Sequence, residues 1–136
     1  MRAVLDANVL IAALLSPTGA PAQILARWLA GDFELVVSES LLAELERALA
    51  YPKLGARIAP EDAAEFVSFL RNTAVPRPDS PGPPRRSRDP GDDYLLTLAE
   101  NEKAIVVSGD QHLLELADQF PVRSPRDFLD ALETPH

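Results

Sequence analysis

The sequence has no cysteine and only two histidines, His112 and the terminal His136. That excludes disulfides, thiolate zinc sites and a cysteine nucleophile, and leaves little for a histidine-based zinc site. Any metal is therefore expected to be held by oxygen. Aromatic residues are scarce at 6%, so a core drawn from the 46% apolar residues must be filled mainly by Leu, Val, Ile and Ala. No apolar run approaches the ~20 residues of a membrane span, and the chain does not open with a basic segment, an apolar stretch and a small-residue cleavage site. A cytoplasmic protein with no membrane partner is the expectation. Bases are the minority charge, 13 against 21 acids, for a net charge of -8. Such a surface on average repels nucleic acid and argues against a simple phosphate-binding module of high pI, whereas surplus carboxylates suit a cation.

At 136 residues the chain fits one domain over 1–136, since domains cluster near roughly 100 to 150 residues. Residues 3–5 read as a short buried strand, after which Val9, Leu10, Ala13 and Leu14 recur at helical spacing until Ser16-Pro17-Thr18-Gly19. A second helix over 21–30 stops at Gly31. "FELVVS" (33–38) is a second strand leading into "ESLLAELERALA", where Leu41, Leu42, Leu45 and Leu49 make one apolar stripe that Tyr51-Pro52 ends. Another helix runs over 60–72. Between Val75 and Gly91 six prolines and Arg77, Arg85, Arg86 and Arg88 crowd a loop of mostly extended backbone. A helix over 90–102, the strand "AIVVS" (104–108), a helix over 111–118, a short strand near Val122 and a last helix opened by Ser124-Pro125 complete the chain. Strands alternating with helices predict an α/β protein, a three-layer α/β/α sandwich around a parallel sheet.

In such a sheet, ligands bind at the carboxyl edge of the strands. Asp6 falls just beyond the first strand, Ser108 and Asp110 follow "AIVVS", and Asp89, Asp92 and Asp93 open the helix that feeds it. Each acid alone is explained by helix capping or by the helix dipole, and "DPGD" itself fits a cap with Asp89 at the N-cap. Capping does not explain why several anions gather on one rim, where like charges raise one another's pKa unless a cation neutralises them. Helical phase places Asp92 on the face of Leu95, Leu96 and Ala99, toward the sheet, and leans Asp93 to solvent with Glu100. Asp92 is thus the better ligand and Asp89 the cap. Glu44 and Glu46 flank the leucine stripe on opposite sides, and periodicity leaves either possible.

With these residues the sequence resembles the PIN-domain family of metal-dependent ribonucleases, which includes VapC-type toxins of toxin-antitoxin pairs. "VLDANVLIAALLS" resembles the family's opening strand and Asp-x-Asn motif, "VVSESLLAELERAL" its helix carrying an acid, and "RDPGDDYLLTLA" and "AIVVSGDQHLL" its third and fourth acidic stations. The resemblance spans nearly the whole chain. It implies a PIN-like α/β/α fold and an acidic cluster of Asp6, Glu44, Asp92 and Asp110, supported by Asn8 and Ser108, and it selects Glu44 over Glu46. It further implies an RNA substrate, an antitoxin protein as partner, and a homodimer or higher homo-oligomer. The Pro/Arg-rich loop at 75–91 departs from the family's pattern at the entry to the site.

Oxygen ligands without sulfur suit Mg2+ or Mn2+, and phosphodiester hydrolysis is a reaction such a site serves well. Asp6, Asp92 and Asp110 are the expected ligands, Glu44 completes the cage or orients water, and Asn8 and Ser108 hold ligands or waters by hydrogen bonds. The loop arginines either reach flanking phosphates or merely keep the loop in water. His112 reads as a first-turn surface residue, and Trp28 as core or interface. Three rivals stand beside the ribonuclease. A phosphatase of the haloacid-dehalogenase type expects a second aspartate where Asn8 stands; a non-catalytic RNA- or protein-binding PIN-like module expects lost acids; a DNA nuclease shares the same site.

Overall fold

The computed structural model describes residues 1–87 and 89–133. Strand β1 (Arg2–Leu5) runs directly into α1 (Ala7–Leu15), and α2 (Ala20–Leu29) returns the chain to β2 (Glu34–Val37). Helix α3 (Glu39–Leu49), a single turn α4 (Pro52–Gly55) and α5 (Pro60–Thr73) lead to β3 (Val75–Pro76). A long connection ends in a 3-10 turn (Pro90–Asp92) that opens α6 (Asp93–Glu102); β4 (Ile105–Val107), α7 (Gln111–Leu114), β5 (Val122–Arg123) and α8 (Pro125–Glu133) follow.

Every strand is connected to the next through helix, the connection a parallel pair needs, and the result is a five-stranded parallel sheet in the order β3-β2-β1-β4-β5. Helices flank it as the alternating pattern predicts. Helices α1, α2, α3, α5 and α8 pack on one another, while α6 packs on β1 and β4. Right-handed crossovers explain the two layers: the chain winds one way from β1 to β3 and the other way from β3 to β5. The direction reverses between β1 and β4, so the helices leaving their carboxyl ends diverge and leave a crevice there.

The leucine stripe Leu41, Leu42, Leu45 and Leu49 is buried, and Ser38 caps α3 by accepting the Leu41 N–H at 3.3 Å. Phe33 and Phe128 meet edge to face, with centroids 5.2 Å apart, and Trp28 belongs to the buried core, packed edge-on against Phe69. Among the described residues no single helix is long and apolar enough to cross a membrane.

Three local expectations change. Tyr51-Pro52 ends α3 but also starts α4, because proline is tolerated in the first turn of a helix, where its missing N–H is not needed. Val75 and Pro76, expected inside the loop, pair with Val36 and Val37 as an edge strand. The helix expected over 111–118 stops at Leu114, and the N–H groups of Leu116, Ala117 and Gln119 bond three residues back in tighter turns.

Candidate metal centre

The register of β1 on β4 builds the site. Leu5 lies opposite Val107, so Asp6 and Ser108 emerge side by side at the crevice, and the Asp6 N–H donates to the Val107 carbonyl at 3.0 Å. The fully buried Ser108 hydroxyl donates to Asp6 Oδ2 at 2.7 Å and accepts the Asp110 N–H at 3.0 Å. One hydroxyl thereby ties the first station to the fourth. Asp6 occupies the N-cap position of α1 without a side-chain capping bond. Burial raises its pKa and the Asp110 charge adds to the rise, against the pull of the Ser108 hydroxyl and the Asn8 and Ala7 amides.

Asp92 is 7% exposed and its Oδ2 has no hydrogen-bond partner. Burial first, then the charges of Asp110, Asp6 and Asp89 and a hydrogen bond with Asp110, push its pKa up to about 7. Leaving a buried acceptor unsatisfied costs about 1 to 3 kcal/mol, and more for a charge. Capping thus accounts for some of the rim acids but not for all. Asp110 does cap α7, with Oδ1 accepting the His112 N–H at 2.8 Å, and Asp89 Oδ1 accepts the Gly91 N–H at 2.9 Å. Asp6 and Asp92 have no such duty.

Glu44 accepts a hydrogen bond at Oε2 from the Tyr94 hydroxyl on α6. Burial and the neighbouring charges of Glu44, Asp6 and Asp79 raise the Tyr94 pKa, which keeps the phenol neutral and donating. Glu46 is exposed and pairs with Arg71 at 3.4 Å, whereas Glu44 is half-buried and bonded to Tyr94. Tyr94→Phe is expected to keep the packing and lower stability by about 1.5 to 3 kcal/mol, the usual worth of a hydrogen bond to a charged group, in urea denaturation. Asn8 is exposed and lines a concavity of about 330 Å³ with Gly109, Asp110 and Pro125.

Asp93 corrects its expected orientation. It is 1% exposed, more buried than Asp92, because the Pro/Arg-rich loop folds over it: Oδ1 accepts the Arg86 and Ser87 N–H groups at 3.0 and 2.8 Å. The loop arginines are mostly committed to α6. Arg77 donates to Glu102 at 2.8 Å, Arg86 pairs with Glu100 and lies 5.2 Å over the Phe120 ring, and Arg85, 69% exposed, stands 3.6 Å from Asp93. Arg88 lies outside the described residues.

The structure therefore brings Asp6, Asp92 and Asp110 close enough for their charges to interact, with Ser108 bonded to Asp6 and to the Asp110 backbone, while Glu44 bonds to Tyr94 and to none of the three. A buried carboxylate oxygen without a partner, on an Asp92 whose pKa is raised by burial and by the charges of Asp110, Asp6 and Asp89, fits a divalent cation held by oxygen. Sequence reasoning passed over Tyr94, whose pairing with Glu44 is purely tertiary. Asp89, read as the cap, and His112, read as a first-turn surface residue, hold those places and each also offers a ligand atom within 4.8 Å of one from Asp92.

A sequence profile of the PIN domain matches residues 2–112. The chain belongs to the PIN-domain family. Members of the family are generally nucleases and typically use divalent metals. An uncharacterized protein of Methanocaldococcus jannaschii is 26% identical over 145 aligned positions, spanning 98% of this PIN domain protein and 92% of its own length. The fold is similar to that of VapBC2 from Rickettsia felis, solved bound to a DNA fragment from their promoter (TM-score 0.62, 15% identity, 91% of this chain and 98% of that one). It is also similar to FitAcB from Neisseria gonorrhoeae (TM-score 0.55, 19% identity, 91% and 98%) and to a PilT N-terminus domain protein from Sulfolobus solfataricus (TM-score 0.56, 14% identity, 100% and 97%).

Proposed function

We propose that this PIN domain, taken as one unit over 1–136, is a cytoplasmic Mg2+- or Mn2+-dependent endoribonuclease and the toxin of a toxin-antitoxin pair. The observation that carries the reading is the unpartnered, buried Asp92 oxygen beside Asp6 and Asp110. Asp6, Glu44, Asp92 and Asp110 would hold the cation, which supplies Lewis acidity toward a phosphodiester and its attacking water. The chain's own groups do the positioning. Ser108 fixes Asp6 against the Asp110 backbone, Tyr94 holds Glu44 in one orientation, and Asn8 presents an amide to the cleft. Arg85, the most exposed of the described loop arginines in ion pairs, would meet phosphates flanking the scissile bond and make binding salt-sensitive.

The likeness of the acidic stations to VapC-type toxins supports an antitoxin protein as partner, and homodimerisation through helices is part of the same reading. The test is cleavage of mixed single-stranded RNA with Mg2+ or Mn2+, with EDTA, and with Asp6→Asn. Cleavage by the wild type alone, abolished by EDTA, is expected. Equal cleavage by both proteins would reveal a contaminant and remove the mechanism; cleavage of DNA in place of RNA would change the substrate.

A further inference from the structure

The concavity of about 330 Å³ beside the acids has walls that the mechanism above does not use. Val9, Ala12, Pro21 and Pro125 give it apolar sides, and Asp110 belongs both to it and to the acidic cluster. Its volume falls at the low end of the roughly 300 to 1,000 Å³ typical of small-ligand sites. Asn8, Val9 and Ala12 share one face of α1 through their spacing of three and four residues. Asn8 is the exposed member, with a carboxamide that offers two donors and an acceptor. A Cβ at Gly109 would meet nothing within 4 Å, so the mouth is open on that side.

Three helices begin here. Asn8, Pro21 and Pro125 stand in the first turns of α1, α2 and α8, and neither α1 nor α2 has a side chain capping its leading amides. The partial positive charge of those helix ends is therefore presented at the rim of the cavity, in a chain whose net charge is -8. Apolar walls, one free carboxamide and a rim that favours anions together match a nucleotide: a base to bury, an edge to read and phosphates to hold.

We propose that this cavity receives one unstacked nucleobase of the RNA, beside the phosphodiester that meets the acids, with Asn8 reading the edge of that base. Single-stranded RNA is read in this manner, by splayed bases packed on protein surface and hydrogen-bonded along their edges. A carboxamide pairs with adenine at N6 and N7, so adenine is the expected base. The inference rests on the nuclease reading and deepens it, since it places the choice of sequence in a pocket separate from the cation.

The test reads base choice rather than rate. In a library of single-stranded RNA with random positions, cut in the presence of Mn2+, the wild type should favour adenine at one position beside the cut by about tenfold or more, the discrimination that a bidentate pair supplies. Asn8→Ala should level that preference. Ala12→Leu should level it too, filling the cavity from a helical position where leucine is well tolerated, and it decides the matter if Asn8→Ala cuts too slowly to read. In the cation-free protein, adenosine 5′-monophosphate should shift the NMR signals of the Asn8 carboxamide and the Ala12 methyl, and ribose 5-phosphate should leave both in place. The Asn8 shift should be lost in Ala12→Leu, with an unchanged circular dichroism spectrum. No shift with the nucleotide, equal shifts with ribose 5-phosphate, or a base choice that Ala12→Leu leaves intact would overturn the pocket. Nucleotide shifts in a protein that cuts no RNA would leave the pocket standing and sink the nuclease reading alone; RNA cleavage indifferent to the neighbouring base would do the reverse.

Discussion

Asp92→Asn is expected to make the cation-free protein more stable at pH 8, by up to roughly 4 kcal/mol, which for a chain of this size is a rise in Tm of about 10 °C. The origin is the buried carboxyl whose pKa is pushed from 3.8 up to about 7. The native state holds that proton to a higher pH than the unfolded chain does. Its contribution is fully present below the unfolded value, declines as pH rises through 4 to 7, and is gone above it, where a buried charge faces Asp110, Asp6 and Asp89. Asparagine has nothing to ionise and can donate to Asp110. The gain of mutant over wild type should therefore be large at pH 8 and small at pH 4, in thermal denaturation with EDTA. Mg2+ or Mn2+ should raise the wild-type Tm at pH 8 far more than the mutant's. A mutant no more stable than the wild type at pH 8 would mean that Asp92 is not held as a strained anion.

Its neighbour should respond in the opposite sense. Asp93→Ala is expected to destabilise the protein by about 2 to 4 kcal/mol at neutral pH, because it strips the acceptor from two backbone amides, each worth about 1 to 3 kcal/mol if left unsatisfied out of water. Those amides are Arg86 and Ser87, and Ser87 is itself buried. Amide hydrogen exchange at 86 and 87 should accelerate beyond the global change, since the loop is released before the sheet. Denaturation midpoints unchanged by Asp93→Ala would show that the loop is pinned by Arg77 and Arg86 alone.

The contrast between these two aspartates shows where the sequence was legible. Asp6 could be placed because a short apolar strand ending in an acid leaves the acid on the sheet's edge wherever the strand pairs. Asp92 could be placed because Leu95, Leu96 and Ala99 define the buried face of α6. The same periodicity misplaced Asp93, since helical phase assumes solvent on the far side, and here a proline-rich segment of irregular backbone covers it. The path of such a segment is fixed by Asp93, Glu100 and Glu102 on another element, and no local pattern records it. Composition likewise read Val75-Pro76 as loop, because a two-residue strand is defined by its partner Val36-Val37. Glu44 was selected by resemblance alone, and the hydrogen bond it accepts from Tyr94 on α6 is a tertiary contact that periodicity does not record.

Both outer strands of the sheet are two residues long, one ending in Pro76 and the other in Arg123. A proline has no N–H to offer an incoming chain, and a charged side chain resists being flanked by another backbone. Both margins resist templating a foreign β-segment, which guards the fold against end-to-end polymerisation of its sheets.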